Sequence, residues 1–221
     1  MATPMITNWK KTDASRDKEV DPTLYRQLIG SLMYLVNTRS DLCYAINTLS
    51  QFIMEPKRVH WVAAKHSVRY VRGTVNFGLR YTKGNDIELS GFTDADWAGS
   101  SVARKSTTRY CFDIGSGMTS WCNKKQKSVA LSFVEAECMA ASKVICEAIW
   151  LRKLLVNLFT RRIKATRIFC DNQSCIKLSE NPVFHDRSKH IDIWCHFIRD
   201  ERYSWRTLSQ EIKWQIYIPR L

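Results

Sequence analysis

The fold class follows from one short stretch, IELSGFTD at residues 87–94. Its β-type residues predict a strand that ends in an acid, Asp94. A second stretch, RIFC at residues 167–170, predicts another strand, and the acid Asp171 follows it directly. Open α/β sheets hold their ligands beyond the carboxyl ends of the strands, where the strand order reverses. We therefore expect Asp94 and Asp171 to be neighbours at one edge of a sheet.

The segments around these two strands predict the rest of an α/β fold. Short strands at residues 110–114 and 118–121 flank a glycine-rich hairpin turn, so the first three strands are expected to be antiparallel. Apolar residues at helical spacing predict a long helix between residues 134 and 159. The remaining predicted elements are helices near 175–178 and 191–198 and a last strand near 212–218. Strands first, then strand and helix in alternation, predict a mixed sheet with helices packed against it.

The N-terminal part of the chain has a different pattern. Residues 1–20 are polar and charged, which predicts a flexible leader. Apolar residues at helical spacing follow from Pro22, and they predict two helices and then a third that ends at Gly73. β-type residues appear at 77–81. The predicted organisation is therefore a leader at 1–20, a small helical region at 21–82 and an α/β domain at 83–221.

The charge balance bears on the class of partner. Lys and Arg number 34 against 21 Asp and Glu in 221 residues, a formal net charge of +13. This excess predicts an anionic partner such as nucleic acid, although solubility alone also accounts for it. The sequence has no apolar run near the roughly 20 residues of a membrane span, and no signal peptide. We therefore expect a soluble intracellular protein, cytoplasmic or nuclear, with no membrane partner.

The eight cysteines are expected to be buried or free thiols, because no Cys-x-x-Cys pair occurs and small disulfide scaffolds are secreted. A structural zinc site is the alternative, although the spacing of the candidate ligands matches no standard zinc finger. These candidates are Cys170, Cys175, His185, His190, Cys195 and His196.

The long helix offers a third carboxylate to the two strand-end aspartates. At about 100° per residue, Glu137 lies roughly 60° from the centre of the apolar stripe and Glu135 roughly 100° from it. Glu137 is therefore expected to face the sheet. Close carboxylates repel one another unless a cation lies between them, and Mg²⁺ is the common solution. Taken singly, each acid is also explained as a turn former or a helix residue.

Ten short motifs are distributed along the chain. The motifs are LYRQLIGSLMYL at 24–35, VRGT at 71–74, FTDADWAG at 92–99, RKST at 104–107, SW at 120–121, KKQK at 124–127, VEAE at 134–137, AIWLR at 148–152, CDNQS at 170–174 and NPVFHDRSKHIDI at 181–193. Together they resemble the copia-type LTR retrotransposon Pol polyproteins. The resemblance spans the end of the reverse transcriptase and the ribonuclease H domain, from about Met5 to about Pro219.

The resemblance implies a ribonuclease H fold and an endonuclease that cleaves the RNA strand of RNA–DNA hybrids with two divalent ions, Mg²⁺ or Mn²⁺. It gives the catalytic and metal-ligand roles to Asp94, Glu137 and Asp171. The implied partners are an RNA–DNA hybrid and other parts of a Pol polyprotein. The basic residues expected to bind nucleic acid are Arg104, Lys105, Lys124, Lys125, Lys127, Arg187 and Lys189. No Asp-Asp pair occurs in the sequence, so we expect no polymerase activity.

The chain departs from the family pattern at several places. A fourth acid is expected after the last strand, in a segment like Ala-Asp-Ile-Phe-Thr-Lys, and the given sequence ends before it. This departure predicts a truncated copy, in which Asp192 is a possible substitute ligand. Arg109 stands at a glycine position, and Cys138 replaces an aromatic residue. The alternative function is therefore a catalytically inactive remnant that at most binds nucleic acid.

Overall fold

The computed structural model describes residues 2–6, 18–82, 88–99, 104–159, 166–180, 189–207 and 213–214. The chain divides into two compact units, Met1–Leu79 and Arg80–Leu221. Most of the predicted leader lies outside the described residues. In the described part of the chain, no helix is both long enough and apolar enough to cross a membrane.

The described residues of the first unit form three α-helices: α1 (Pro22–Val36), α2 (Cys43–Leu49) and α3 (Arg58–Gly73). Asp21 starts α1, because its carboxylate accepts a hydrogen bond from the Thr23 amide at 2.8 Å. The apolar stripes of these helices meet in one core, which includes the fully buried residues Tyr25, Ile29, Leu42, Ile46 and Leu49. The predicted helical region is confirmed.

The second unit is built on a five-stranded sheet in the order β3-β2-β1-β4-β5. Its strands are β1 (Leu89–Asp96), β2 (Thr107–Ile114), β3 (Gly117–Lys125), β4 (Arg167–Cys170) and β5 (Lys213–Trp214). The first three strands are antiparallel, whereas β4 runs parallel to β1 and β5 parallel to β4. The predicted mixed sheet is therefore confirmed. Most of the predicted last strand lies outside the described residues.

Three helices accompany the sheet: α4 (Phe133–Phe159), α5 (Gln173–Glu180) and α6 (Lys189–Thr207). The predicted stripe of α4 is buried in the core at Cys138, Ala141, Ile145 and Ala148. Phe159, the last residue of the helix, is half exposed. The core also includes Leu89 and Phe112 of the sheet and Ile191, Cys195 and Ile198 of α6.

The residues at 77–81, which have β-type character, form no strand. Tyr81 instead donates a hydrogen bond from its hydroxyl to the Met118 carbonyl at 2.6 Å. Its ring lies against Gly117, where an added Cβ would come within 2.6 Å of a ring carbon. Tyr81 therefore lies against the β2–β3 hairpin through a side-chain contact, and this sheet contains no strand from residues 77–81.

The strand β1 has two distinct faces. Leu89, Gly91, Thr93 and Ala95 are buried, and they alternate with partly exposed residues. The partly exposed face includes the last two acids of the strand, Asp94 and Asp96. Since α4 packs against β1, the acids stand at the strand end on the face away from the helix core.

Candidate metal centre

Two acids meet where the parallel strands β1 and β4 end. Thr93 pairs with Cys170 in the last step of the ladder. Asp94 and Asp171 are the next residues along each strand, so the ladder brings them to the same edge of the sheet. The observed register therefore places both residues at one edge of the sheet.

Glu137 reaches this edge from α4. The side chain is fully buried, and Oε1 accepts a hydrogen bond from the Ala95 amide at 3.2 Å. The second oxygen, Oε2, is buried without a hydrogen-bond partner within the described chain. Ligand atoms of Glu137, Cys170 and Asp171 all lie within 4.8 Å of one another. This group is the only cluster of at least three such residues in the described part of the protein.

The surroundings of Glu137 favour its neutral form when no cation is present. Burial raises the pKa of the carboxyl to about 8, and the negative charge of Cys170, Asp171 and Asp94 acts in the same direction. The hydrogen bond from the Ala95 amide opposes the shift. At neutral pH the carboxyl therefore carries a proton, which a bound cation would displace.

Glu135, the competing acid on the same helix, has another contact. Its Oε2 accepts a hydrogen bond from the Leu131 amide at 2.6 Å, and its own amide donates to the Ser132 hydroxyl at 3.1 Å. These bonds resemble a capping box, in which a hydroxyl and a carboxylate satisfy free amides before a helix. The two glutamates thus occupy different sides of the first turn of α4.

Arg109 lies directly opposite Asp94 in the β1–β2 ladder. Its Nη1 is 3.1 Å from Asp94 Oδ2, and its Nη2 is 3.3 Å from Asp96 Oδ2. A guanidinium therefore already neutralises part of the charge at the end of β1. The sequence showed Arg109 only as a departure from a glycine position, because the long connection between β1 and β2 leaves their register unpredictable.

Asp192 does not join the group of three ligand residues. It lies in the first turn of α6, where its Oδ1 is 3.3 Å from His196 Nε2. The structure therefore brings Glu137 to the aspartate edge and leaves Asp192 beside a histidine of its own helix.

The oxygen donors at this edge suit a hard divalent cation. Mg²⁺ takes carboxylate oxygens and keeps several waters, whereas a thiol such as Cys170 suits softer metals. The unpartnered Oε2 of Glu137 is a buried acceptor that a cation would satisfy. Glu137 and Asp171 are therefore the predicted ligands that the structure brings together, and their carboxylates fit Mg²⁺ or Mn²⁺. Asp94 is not part of this group of ligand atoms. The histidines His185 and His190 of the zinc alternative lie at positions whose side chains are outside the described set.

A groove of about 620 Å³ lies on the opposite side of α4. By helical rotation, its lining residues Met139 and Cys146 are about 180–200° away from Glu137 around the helix axis. Trp194 and Phe197 of α6 also line it, and its lining contains no acid. The four lysines that line it are Lys124, Lys125, Lys127 and Lys143.

Only some of the residues that are predicted to bind nucleic acid lie together in this groove. Three of them, Lys124, Lys125 and Lys127, line this groove together with Lys143, a residue that none of the sequence motifs contains. Lys105 donates to the Lys127 carbonyl at 2.7 Å, and Arg104 has a left-handed φ of 50°. Arg187 and the side chain of Lys189 are outside the described residues.

The sheet order and its flanking helices define a ribonuclease H-like domain preceded by a small helical region. A structure of the foamy viral protease-reverse transcriptase in complex with dsDNA matches with a TM-score of 0.51. The match has 13% sequence identity and covers 98% of this chain and 42% of the viral chain. At this identity the likeness supports the fold alone.

Sequence comparison gives the family. The retrovirus-related Pol polyprotein from transposon RE2 of Arabidopsis thaliana is 43% identical over 201 residues, 91% of this chain. The corresponding polyprotein from transposon TNT 1-94 of Nicotiana tabacum is 45% identical over 177 residues, 80% of this chain. No protein-family model matches the chain.

The chain belongs to the copia-type, retrovirus-related Pol polyproteins. It spans only 14% of the RE2 polyprotein and 13% of the TNT 1-94 polyprotein. What those whole polyproteins do is therefore a separate question from what this segment does.

Proposed function

We propose that this segment is a ribonuclease H that cleaves the RNA strand of RNA–DNA hybrids with divalent ions held by Asp94, Glu137 and Asp171. The observation that carries the proposal is the buried, unpartnered Oε2 of Glu137 beside Asp171. A buried acceptor without a partner is costly, and a cation at this edge offsets that cost.

The residues of the site have different roles in this proposal. Divalent ions, when bound, lower the pKa of an attacking water and stabilise charge on the attacking and leaving oxygens. Glu137 would hold a cation through Oε2, and its carboxyl would then give up its proton. The Ala95 amide keeps its carboxyl oriented through Oε1. Asp94 and Asp171 would contribute carboxylates from one edge of the sheet, because the strands β1 and β4 are paired.

Basic residues of the same unit would hold the substrate backbone. Proteins bind duplexes mainly through phosphate contacts, and they recognise a hybrid by its groove shape and 2′-hydroxyls. We assign Arg104, Lys105, Lys124, Lys125 and Lys127 to phosphate contacts, together with Arg187 and Lys189. The division of the chain into a helical region at 21–82 and a nuclease domain from 83 onward is part of the same proposal.

A second candidate function has its own support. Arg109 pairs with Asp94 and Asp96, so part of the charge that would hold a cation is already neutralised. This pairing favours an inactive homologue that binds nucleic acid without cleaving it.

One experiment separates the two. Purified protein is incubated with an RNA–DNA hybrid labelled on the RNA strand, with Mg²⁺ or with EDTA, beside an Asp171→Asn variant. The proposal expects cleavage that requires Mg²⁺ and falls by at least about 100-fold in the variant. Binding of the hybrid without Mg²⁺-dependent cleavage would establish the inactive binder instead.

A further inference from the structure

Two buried thiols of the second unit lie almost within bonding distance. Cys138 of α4 and Cys175 of α5 have their Sγ atoms 3.0 Å apart. Both side chains are buried, with relative exposures of 0% and 3%. An S–S bond is roughly 2.05 Å long, so the two sulfurs need to approach by only about 1 Å to form one.

Three of the other cysteines, Cys43, Cys111 and Cys122, do not offer an equivalent pair. Cys111 and Cys122 occupy neighbouring strands, but Cys111 pairs with Trp121 and Cys122 with Tyr110. Because successive residues of a strand point to opposite faces, these two thiols lie on opposite sides of the sheet. Cys43 is in the first unit, and Cys146 is exposed.

We propose that Cys138 and Cys175 are a disulfide-forming site that is oxidised by a peroxide. Two S–H bonds break and one S–S bond forms. The two electrons and two protons go to the peroxide, whose O–O bond breaks to give two molecules of water when the oxidant is hydrogen peroxide. A dithiol reverses the step by exchange.

The disulfide would connect the two helices that adjoin the acid edge. Cys138 directly follows Glu137, and α5 begins shortly after Asp171. The Cys175 amide donates a hydrogen bond to Asn172 Oδ1 at 2.8 Å, which holds the thiol in the first turn of α5. The bond would therefore fix α5 against α4 whether or not a metal is bound. It closes a loop between residues 37 apart, which restricts the unfolded chain.

Two neighbouring thiols compete for this bond and make its assignment necessary. Cys170 forms a side-chain hydrogen bond with Cys175, and Cys195 forms one with Cys138. Trypsin leaves Cys138 and Cys175 on different peptides, but it leaves Cys170 on the same peptide as Cys175. Fragmentation of the crosslinked peptide pair is therefore required to identify the bonded sulfur.

The test uses the full chain with Cys146→Ser, which removes an exposed thiol that would join two molecules. The folded protein is treated with hydrogen peroxide, its remaining thiols are alkylated, and its peptides are mapped by mass spectrometry. We expect a Cys138–Cys175 crosslink that dithiothreitol removes, and a rise in Tm of roughly 5–15 °C. Cys170→Ala is the matched control and should keep the crosslink, whereas Cys175→Ala should lose it.

The outcomes are decisive even where a variant fails to fold, because the parent chain alone gives the assignment. A crosslink of Cys175 to Cys170 only, or of Cys138 to Cys195 only, would overturn the proposal. So would full alkylation of both thiols upon unfolding after peroxide treatment. The readout requires neither metal nor substrate, so it is independent of the nuclease proposal.

Discussion

The buried position of Glu137 opposes the ionisation of its carboxyl group. Burial and the nearby acids raise its pKa to about 8, whereas the unfolded chain would ionise it near the ordinary glutamate value. Between these two values the folded protein holds a proton that the unfolded chain has released. Stability from this group is therefore greatest below the ordinary value, and it is lost as the pH rises toward 8.

Glu137→Gln should remove this pH dependence, because glutamine has the same shape and no charge to desolvate. The free energy of unfolding of the variant, relative to the parent, should rise by roughly 2–4 kcal/mol between about pH 5 and about pH 8.5. Urea denaturation in EDTA at several pH values measures this difference. A constant difference across that range would contradict the raised pKa.

Arg109 adds a positive charge to a site that otherwise consists of acids. The guanidinium contacts Asp94 and Asp96, whose side chains are 49% and 37% exposed. Such partly exposed pairs are weak, of the order of 1 kcal/mol or less each. The arginine would thus compete with a divalent ion without excluding it.

Arg109→Gly should therefore tighten the binding of Mn²⁺ by about 3- to 10-fold, the scale of one or two exposed ion pairs. Isothermal titration measures the dissociation constant directly. Arg109→Lys retains the cation and should change the affinity much less. Arg167→Gln is a second control, because it removes an arginine that pairs with Glu88 at the opposite end of the β1–β4 ladder. Equal effects of Arg109→Gly and Arg167→Gln would show a general charge effect.

At the scale of elements, the sequence best predicts the helices and strands that bury a single face. The helix α4 shows this, because its apolar stripe recurs at helical spacing and is buried at Cys138, Ala141 and Ile145. The strand β1 is likewise predicted within a few residues of its observed bounds, Leu89–Asp96. These elements are set by local patterns that the core then reinforces.

Other elements depend on partners that are distant in sequence. The β-type residues at 77–81 form no strand, and Tyr81 packs on Gly117 instead. The helix α6 extends over Lys189–Thr207, well beyond the apolar residues that predict it. Its apolar side packs against the core of the second unit through Ile191, Cys195 and Ile198. Local propensity does not include these packing energies, so it cannot fix such boundaries.

At the scale of the whole molecule, each of the two units has a hydrophobic core of its own among the described residues, and the chain has an excess of positive charge. The cores belong to the units Met1–Leu79 and Arg80–Leu221. The formal net charge of +13 attracts any polyanion, wherever the individual lysines lie. An effect of particular lysines on binding therefore has to be measured against the effect of net charge.

Replacing Lys124, Lys125 and Lys127 with glutamine should weaken hybrid binding and reduce its dependence on salt. Each phosphate contact that is lost lowers the slope of log K against log salt by about 1, so a reduction of up to about 3 is expected. Fluorescence anisotropy with a labelled hybrid, measured over a range of salt concentrations, gives the slope.

The charge-matched control replaces the exposed arginines Arg26, Arg69 and Arg72 of the first unit with glutamine. This variant has the same net charge as the lysine variant and should keep the parent slope. Equal losses in both variants would mean that net charge, and not the lysine cluster, governs binding.

The sequence by itself determined the fold class, the family, and the candidate acids Asp94, Glu137 and Asp171. It did so because strands, helices and motifs depend on the periodicity and composition of short stretches, which can be recognised without knowing the tertiary structure. Only the tertiary structure decided that Arg109 faces Asp94, that Glu135 caps α4, and that Cys138 meets Cys175. These contacts depend on strand register and helix packing, which join residues far apart in the chain and are fixed by the burial of the core as a whole.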